Sequence, residues 1–339
     1  MKGILPGTIL GWLLAILLAG LLGCRPSATD DVKGSATDAS AEEEPDAVIG
    51  VSVLTTTNPF FNELSGAIVE EAAKHHYKVI VHSGEMDPQK QDQQVDDFIT
   101  KQVGAIVLCP CDSRAVGATI EKANRAGIPV FTADIASLAE QGEVVSHVAT
   151  DNRDGGRAAA RAVVEMLHGE GKIALLNHPR IESAILREEG FKEEIQKLNQ
   201  QSGKAGIEIA TVLPGGGERK MSFDAAKDIL QTYPDLDGLF CINDPSALGA
   251  AEALKPEIEA GRIRIVGFDA QPEARKAVKE GTLYATIVQY PERIGSTVAD
   301  AVHQHLVGKE VAAEILIPVT IYGKAEADAD PLLKKESGE

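Results

Sequence analysis

"AVIGVSVLTTTNPFF" (Ala47 to Phe61) decides how this chain is read. Its first eight residues are nearly all apolar, as a β-strand covered on both faces of a sheet must be. The run stops at Thr55-Thr56-Thr57-Asn58, and Pro59 opens a segment with Phe61, Leu64, Ile68 and Ala72 at helical spacing. A buried strand therefore feeds a helix through a polar turn. Two adjacent phenylalanines stand at that turn in a chain that is only 4% aromatic. They are either core or one wall of a binding site.

The same grammar repeats outward. "YKVIVH" (Tyr77 to His82), "AIVLC" (Ala105 to Cys109) and "PVFTAD" (Pro129 to Asp134) read as strands, with helical patterns through Val95, Phe98 and Ile99 and through Val116, Ile120 and Ala123 between them. After "EVVSHVATDN" (Glu143 to Asn152) a second series begins: "KIALLN" (Lys172 to Asn177), "IEIATVL" (Ile207 to Leu213), "GLFCIN" (Gly238 to Asn243), "IRIVGF" (Ile263 to Phe268) and "YATIVQ" (Tyr284 to Gln289). Strict βαβα alternation predicts parallel sheets with helices on both faces, here two α/β lobes of similar size in tandem.

Open parallel sheets bind ligands beyond the carboxyl ends of their strands. The residues falling there are Thr55 to Asn58, Asp134, Asn243-Asp244, Asp269 and Gln289, with Arg187 available from a helix. Amides and carboxylates with one guanidinium suit a polyhydroxyl ligand, whose hydroxyls both donate and accept.

The chain of 339 residues carries 51 Asp+Glu against 33 Lys+Arg with no basic run, which excludes nucleic acid as a partner. Its start is a leader: Met1-Lys2, then "ILPGTILGWLLAILLAGLL" (Ile4 to Leu22), then Gly23-Cys24. This reads as an export signal resembling a bacterial lipobox, residues 1–23 being removed and Cys24 lipidated; the competing reading is a permanent membrane anchor. Residues 24–46, rich in Ser, Ala, Thr, Asp and Glu, read as a flexible linker. Cys109, Cys111 and Cys241 make no disulfide framework and no zinc set, and read as small buried thiols.

Catalytic and cofactor signals are weak. "LPGGGERK" (Leu213 to Lys220) lacks the phosphate-loop spacing and "DNRDGGRA" (Asp151 to Ala158) lacks GxGxxG, so both read as loops entering helices. His75 and His76 are sequence neighbours, and His303 and His305 are not four apart, so no metal site is expected and these histidines read as exposed helix surface. No cofactor is expected.

"NPFF", "AVGATIEKANRAGIPV" (Ala115 to Val130), "GEVVSHVATDNRDGG" (Gly142 to Gly156), "REEGF" (Arg187 to Phe191), "IND" (Ile242 to Asp244), "LGA" (Leu248 to Ala250) and "VGFDAQPEARKAVKEGTLYATIVQYPERIG" (Val266 to Gly295) resemble the periplasmic sugar-binding proteins of ABC importers, D-ribose-binding branch. The resemblance spans about residues 47–323. It implies two Rossmann-like lobes joined by a three-crossover hinge near Thr150-Asp151, Gln289-Tyr290 and Pro318, with 47–150 plus 290–318 in one lobe and 151–289 plus 319–327 in the other. "EILIPVTIY" (Glu314 to Tyr322) would be a last strand running back across the hinge, and "PERIGSTVADAVHQHLVG" (Pro291 to Gly308) a helix of the N-terminal lobe. By the same resemblance, Asn58 would bond sugar hydroxyls, Phe60 and Phe61 would face the sugar ring, and Asp134, Arg187, Asn243, Asp269 and Gln289 would complete the polar ring. The implied protein is a monomer, periplasmic or at the cell surface and held by lipidated Cys24. It would deliver a pentose, hexose or polyol to an ABC permease, without catalysis. Two alternatives are a sensing partner of a chemoreceptor or sensor kinase, and an exported sugar-active hydrolase. The chain departs from the family pattern at Ile135, where an arginine is usual, at Gly217, where a ring is usual, and at Cys109, where asparagine is common. A roomier, less polar end of the cleft is the expected result.

Overall fold

A computed structural model describes residues 46–202 and 206–337. The leader, Cys24 and all but the last residue of the linker lie outside them. The first series is β1 (Ala47–Val53), α1 (Pro59–Ala73), β2 (Tyr77–Ser83), α2 (Pro88–Thr100), β3 (Ala105–Leu108), α3 (Gly117–Arg125), β4 (Val130–Ala133) and β5 (Ser146–Thr150). The second is α4 (Asn152–Met166), β6 (Glu170–Asn177), α5 (Glu182–Ser202), β7 (Gly206–Pro214), α6 (Arg219–Thr232), β8 (Gly238–Cys241), α7 (Asp244–Ala253), α8 (Lys255–Glu259), β9 (Arg264–Asp269), α9 (Pro272–Glu280) and β10 (Ala285–Val288). The chain closes with α10 (Pro291–Leu306), β11 (Glu314–Ile317), β12 (Thr320–Tyr322), α11 (Lys324–Ala329) and α12 (Pro331–Ser337). Among these residues no helix is long and apolar enough to cross a membrane.

Two six-stranded sheets result, in the orders β11-β5-β4-β3-β1-β2 and β12-β10-β9-β8-β6-β7. Every pairing is parallel except β10 with β12. β3, β4, β8 and β10 are buried at every residue, which is why their sequences show no alternation. The chain passes between the sheets at β5 to α4, at β10 to α10, and at Pro318-Val319. α10 packs on α1 of the first lobe.

"EILIPVTIY" is not one strand. It divides at Pro318, which has no N–H to give a ladder, into β11 of one sheet and β12 of the other. "DNRDGGRA" is not a loop entering a helix but the first turns of α4, capped by Asp151, whose carboxylate accepts from Asp154 N at 3.0 Å. Residue 327, where the second lobe was expected to end, falls inside α11, and α11 packs on α9.

α4 and α5 meet at unusually short range. A Cβ on Gly190 would stand 2.0 Å from the Arg153 carbonyl oxygen, and one on Gly156 would stand 2.1 Å from that of Arg187. Gly190→Ala should therefore push the two backbones apart and cost about 1–3 kcal/mol, the usual range for overpacking. A urea unfolding midpoint that falls with an unchanged slope is the expected reading.

Candidate functional site

The carboxyl ends of both sheets border one cavity of about 520 Å³. Pockets of that size suit a small ligand. The N-terminal lobe contributes Phe60 and Phe61, which are 3% and 4% exposed and stand edge to face, with centroids 5.1 Å apart. They are packed into the core and line the cavity at once, so the two readings of this pair were never exclusive.

Asn58 holds that wall in place. Its Oδ1 accepts from Phe60 N at 3.0 Å, capping α1 behind Pro59, and from Gln271 Nε2 of the other lobe at 2.5 Å. Its amide NH2 is the part left to offer a ligand. Asn243 is similarly occupied, capping α7 through Ser246 N and donating from Nδ2 to the Gly217 carbonyl. These two side chains therefore build the site before they touch anything in it.

Arg187 is the electrostatic centre. It is 4% exposed, donates from Nε to Asn152 Oδ1 at 2.8 Å and from Nη1 to the Ile242 carbonyl at 2.7 Å, and lies 3.8 Å over the Phe268 ring. Asp269 Oδ1 is 3.7 Å from Nη1 and accepts from Gln289 Nε2 at 2.6 Å. Gln289 in turn accepts from Thr150 Oγ1 at 2.7 Å, so two of the three lobe crossings are tied to this carboxylate. Burial pushes the Asp269 carboxyl up to about 6 against the pull of Arg187, and burial lowers Arg187 itself despite its acidic neighbours. On both partners desolvation outweighs pairing. Asp244 stands behind them, accepting from Thr286 Oγ1 at 2.7 Å and Gln271 N at 2.8 Å, a structural carboxylate raised well above its usual range by burial.

Asp134 faces this group from the first lobe. It sits in left-handed backbone (φ 64°), its N–H donates to the Val148 carbonyl at 2.9 Å, and its Oδ1 is buried without a hydrogen-bond partner. Burial raises its carboxyl to about 7, Arg187 opposes that rise, and Asp269 and Glu182 add to it. Strained backbone and an orphaned acceptor on a non-glycine residue in a cavity mark a position kept for a partner.

The lobes are closed on each other. Arg180 Nε donates to Asp112 Oδ2 at 2.8 Å, Ser113 N to the Arg180 carbonyl at 3.0 Å, and Glu182 N to Ser113 Oγ at 2.9 Å. With the Asn58–Gln271 bond these link the two lobes directly. Gln271, His178 and Ser183 line the cavity and were not singled out from the sequence. His178 follows the end of β6, so the rule that found Asp134 and Asp269 was sufficient to find it. Ile135 and Gly217 do line the cavity, whereas Cys109 belongs to the core and burial holds its thiol well above its usual range. Cys109, Cys111 and Cys241 are all free and buried.

His75 and His303 are half-buried rather than plain helix surface. Their rings stack at 3.7 Å, Tyr77 Oη lies 3.0 Å from His303 Nδ1, and Glu71, His75 and Asp300 place ligand atoms within 4.8 Å of one another. Sequence spacing could not reveal this cluster, because it joins α1 to α10. Lys74 already pairs with Glu71 at 2.6 Å.

Residues 49–310 match the family described as periplasmic binding protein domain. The chain is 35% identical over 275 residues to a ribose import binding protein of Bacillus subtilis, covering 80% of this chain and 86% of that one. It is 29% identical over 260 residues to the D-allose-binding periplasmic protein of Escherichia coli, covering 74% and 82%. Among solved structures, an ABC transporter solute binding protein from Agrobacterium vitis, bound with alpha-D-tagatopyranose, superposes with a TM-score of 0.78 at 26% identity, covering 85% of this chain and 98% of that one.

Proposed function

The chain belongs to the periplasmic binding protein domain family, and from that premise we propose that it captures a monosaccharide or related polyol in the interlobe cleft and delivers it to the permease of an ABC importer. The observation that carries this reading is Asp134 Oδ1, a buried acceptor without a partner, set in a cavity with Arg187 and Asp269 beside an aromatic wall. A carboxylate accepts strongly from hydroxyls, and an aromatic face suits the C–H groups of a sugar ring. The proposed binding set is Asn58 (through its NH2), Phe60, Phe61, Asp134, Arg187, Asn243, Asp269 and Gln289. Residues 47–150 with 290–318 act as one lobe and 151–289 with the segment from 319 onward as the other. Ligand shifts the hinge toward the closed form that the permease recognises.

The protein works without turnover, as a monomer tethered outside the cytoplasm by lipid on Cys24. Calorimetric titration of the full chain, in a detergent without a sugar headgroup, against pentoses, hexoses and polyols should give one-to-one binding, with the ligand recovered chemically unchanged. Binding to none of them would remove the proposal, and a hydrolysed glycoside would replace it with an enzyme. Cys24→Ala should abolish incorporation of labelled fatty acid.

A further inference from the structure

Gln271 stands at the N-cap position of α9, where Ser, Thr, Asp and Asn prevail because a short side-chain oxygen can take an orphan N–H of the first turn. Its side chain caps nothing there. Asn58 and Asn243, at the starts of α1 and α7, do cap their helices. Gln271 spends its amide across the cleft instead: Nε2 donates to Asn58 Oδ1 of the first lobe at 2.5 Å and to Asp269 Oδ2 of its own lobe at 3.1 Å. A local rule broken by a cavity-lining residue points to a role in the site.

The orientation of that amide is forced. Asn58 Oδ1 already accepts from Phe60 N, so it is an oxygen, and the ionised Asp269 carboxylate accepts only. Two acceptors face the end of Gln271, and its NH2 has a hydrogen for each. Asn58 is thereby held by two donors on one oxygen, which keeps its own NH2 free for a ligand. Asp269 is gripped at both oxygens, Oδ1 by Gln289 and Oδ2 by Gln271. The turn that delivers Gln271 runs through sparsely populated backbone, with φ of 117° at Asp269 and 58° at Ala270, neither of them a glycine. It is fixed by Gln271 N donating to Asp244 Oδ2 at 2.8 Å and Ala270 N to Thr286 Oγ1 at 3.2 Å. Asn58 and Gln271 belong to different lobes, so any opening of the cleft parts them.

Taking the sugar-cleft reading as given, we propose that Gln271 is a positioning residue for ligand retention: with the lobes closed its NH2 locks Asn58 and Asp269 in their binding orientations, and so sets how slowly a bound sugar leaves. Capture takes place with the lobes parted, when the bond to Asn58 is absent, so arrival does not depend on it.

The experiment times association and release of radiolabelled D-ribose, D-allose and D-tagatose by filter binding. It uses the full chain, in a detergent without a sugar headgroup, and the variants Gln271→Ala, Gln271→Glu and Gln271→Asn. For the sugar that binds, Gln271→Ala should release it about tenfold faster at an unchanged association rate, the scale of one or two lost hydrogen bonds. Gln271→Glu keeps the shape without the NH2 and sets a carboxylate against two oxygens, so it should release faster still. Gln271→Asn is too short to cross the cleft but suits an N-cap, so release should quicken while thermal unfolding of the ligand-free protein holds or rises. That variant keeps the test available should Gln271→Ala fail to fold. A folded variant that releases the sugar at the unaltered rate, or whose loss lies in association, would overturn the role of Gln271 while leaving the sugar cleft intact. Binding of none of the three sugars by the unaltered chain would overturn the sugar-cleft reading, and this one with it.

Discussion

Arg187→Ala should abolish sugar binding and destabilise the protein by about 3–5 kcal/mol, the cost of breaking a buried charge pair from one side. The guanidinium serves two lobes at once. Without it Asn152 Oδ1 and the Ile242 carbonyl lose their donors, the Phe268 face loses its cation, and Asp134 and Asp269 lose the positive charge that opposes their burial. Both carboxyls should then rise further and become protonated near neutral pH, which removes the charged acceptors that sugar hydroxyls need. Arg187→Lys keeps the charge but cannot span Asn152 and Ile242 together, so it should recover stability only in part and affinity hardly at all. Urea unfolding and calorimetry on the same two variants check this. A variant of normal stability that has lost only affinity would show that Arg187 serves the ligand and not the fold.

Asp134→Asn should move stability and binding in opposite directions. The carboxyl titrates at about 7 in the folded protein against 3.8 for an ordinary aspartate. A folded-state value above the unfolded one means that the favourable contribution is complete below the unfolded value and is lost as pH rises through the folded one. The wild-type chain therefore carries a cost at pH 8 that is almost absent at pH 4. The neutral amide should stabilise the ligand-free protein at pH 8 by about 1–3 kcal/mol, the penalty of a buried unsatisfied polar group, with little effect at pH 4. Affinity should fall by about 2–4 kcal/mol, since a charged acceptor for hydroxyls is gone. For the unaltered chain, affinity should weaken as pH drops below 7, because the bound sugar needs the ionised form. Thermal unfolding and titration at the two pH values test both halves, and equal stability of the two proteins at pH 8 would refute the first.

The fold was legible because strands covered on both faces leave an unbroken apolar signature, and because the residues that end them are polar for a reason visible in sequence. "AVIGVSVL" and "GLFCIN" needed no tertiary information. What stayed hidden depended on partners far along the chain. Asn58 and Asn243 looked like ligand groups, and their oxygens turned out to be committed to helix caps, which only the structure can count. Gly217 looked like a missing wall, and it stands in left-handed backbone between Asn243 and His178, from other strand ends. The Asp112–Arg180 bond and the His75–His303 stack join positions that no local pattern connects. The division of "EILIPVTIY" was readable in principle, since Pro318 marks it.

That division has a consequence for how the molecule comes into being. β11 and β12 are the edge strands of different sheets, supplied by a few residues either side of Pro318 near the end of the chain. A polypeptide emerging N-terminus first cannot complete either sheet until this short segment has appeared, so neither lobe can mature ahead of the other. Until then β5 and β10 each stay unpaired along one side, an open edge that invites wrong pairing until the last strands arrive.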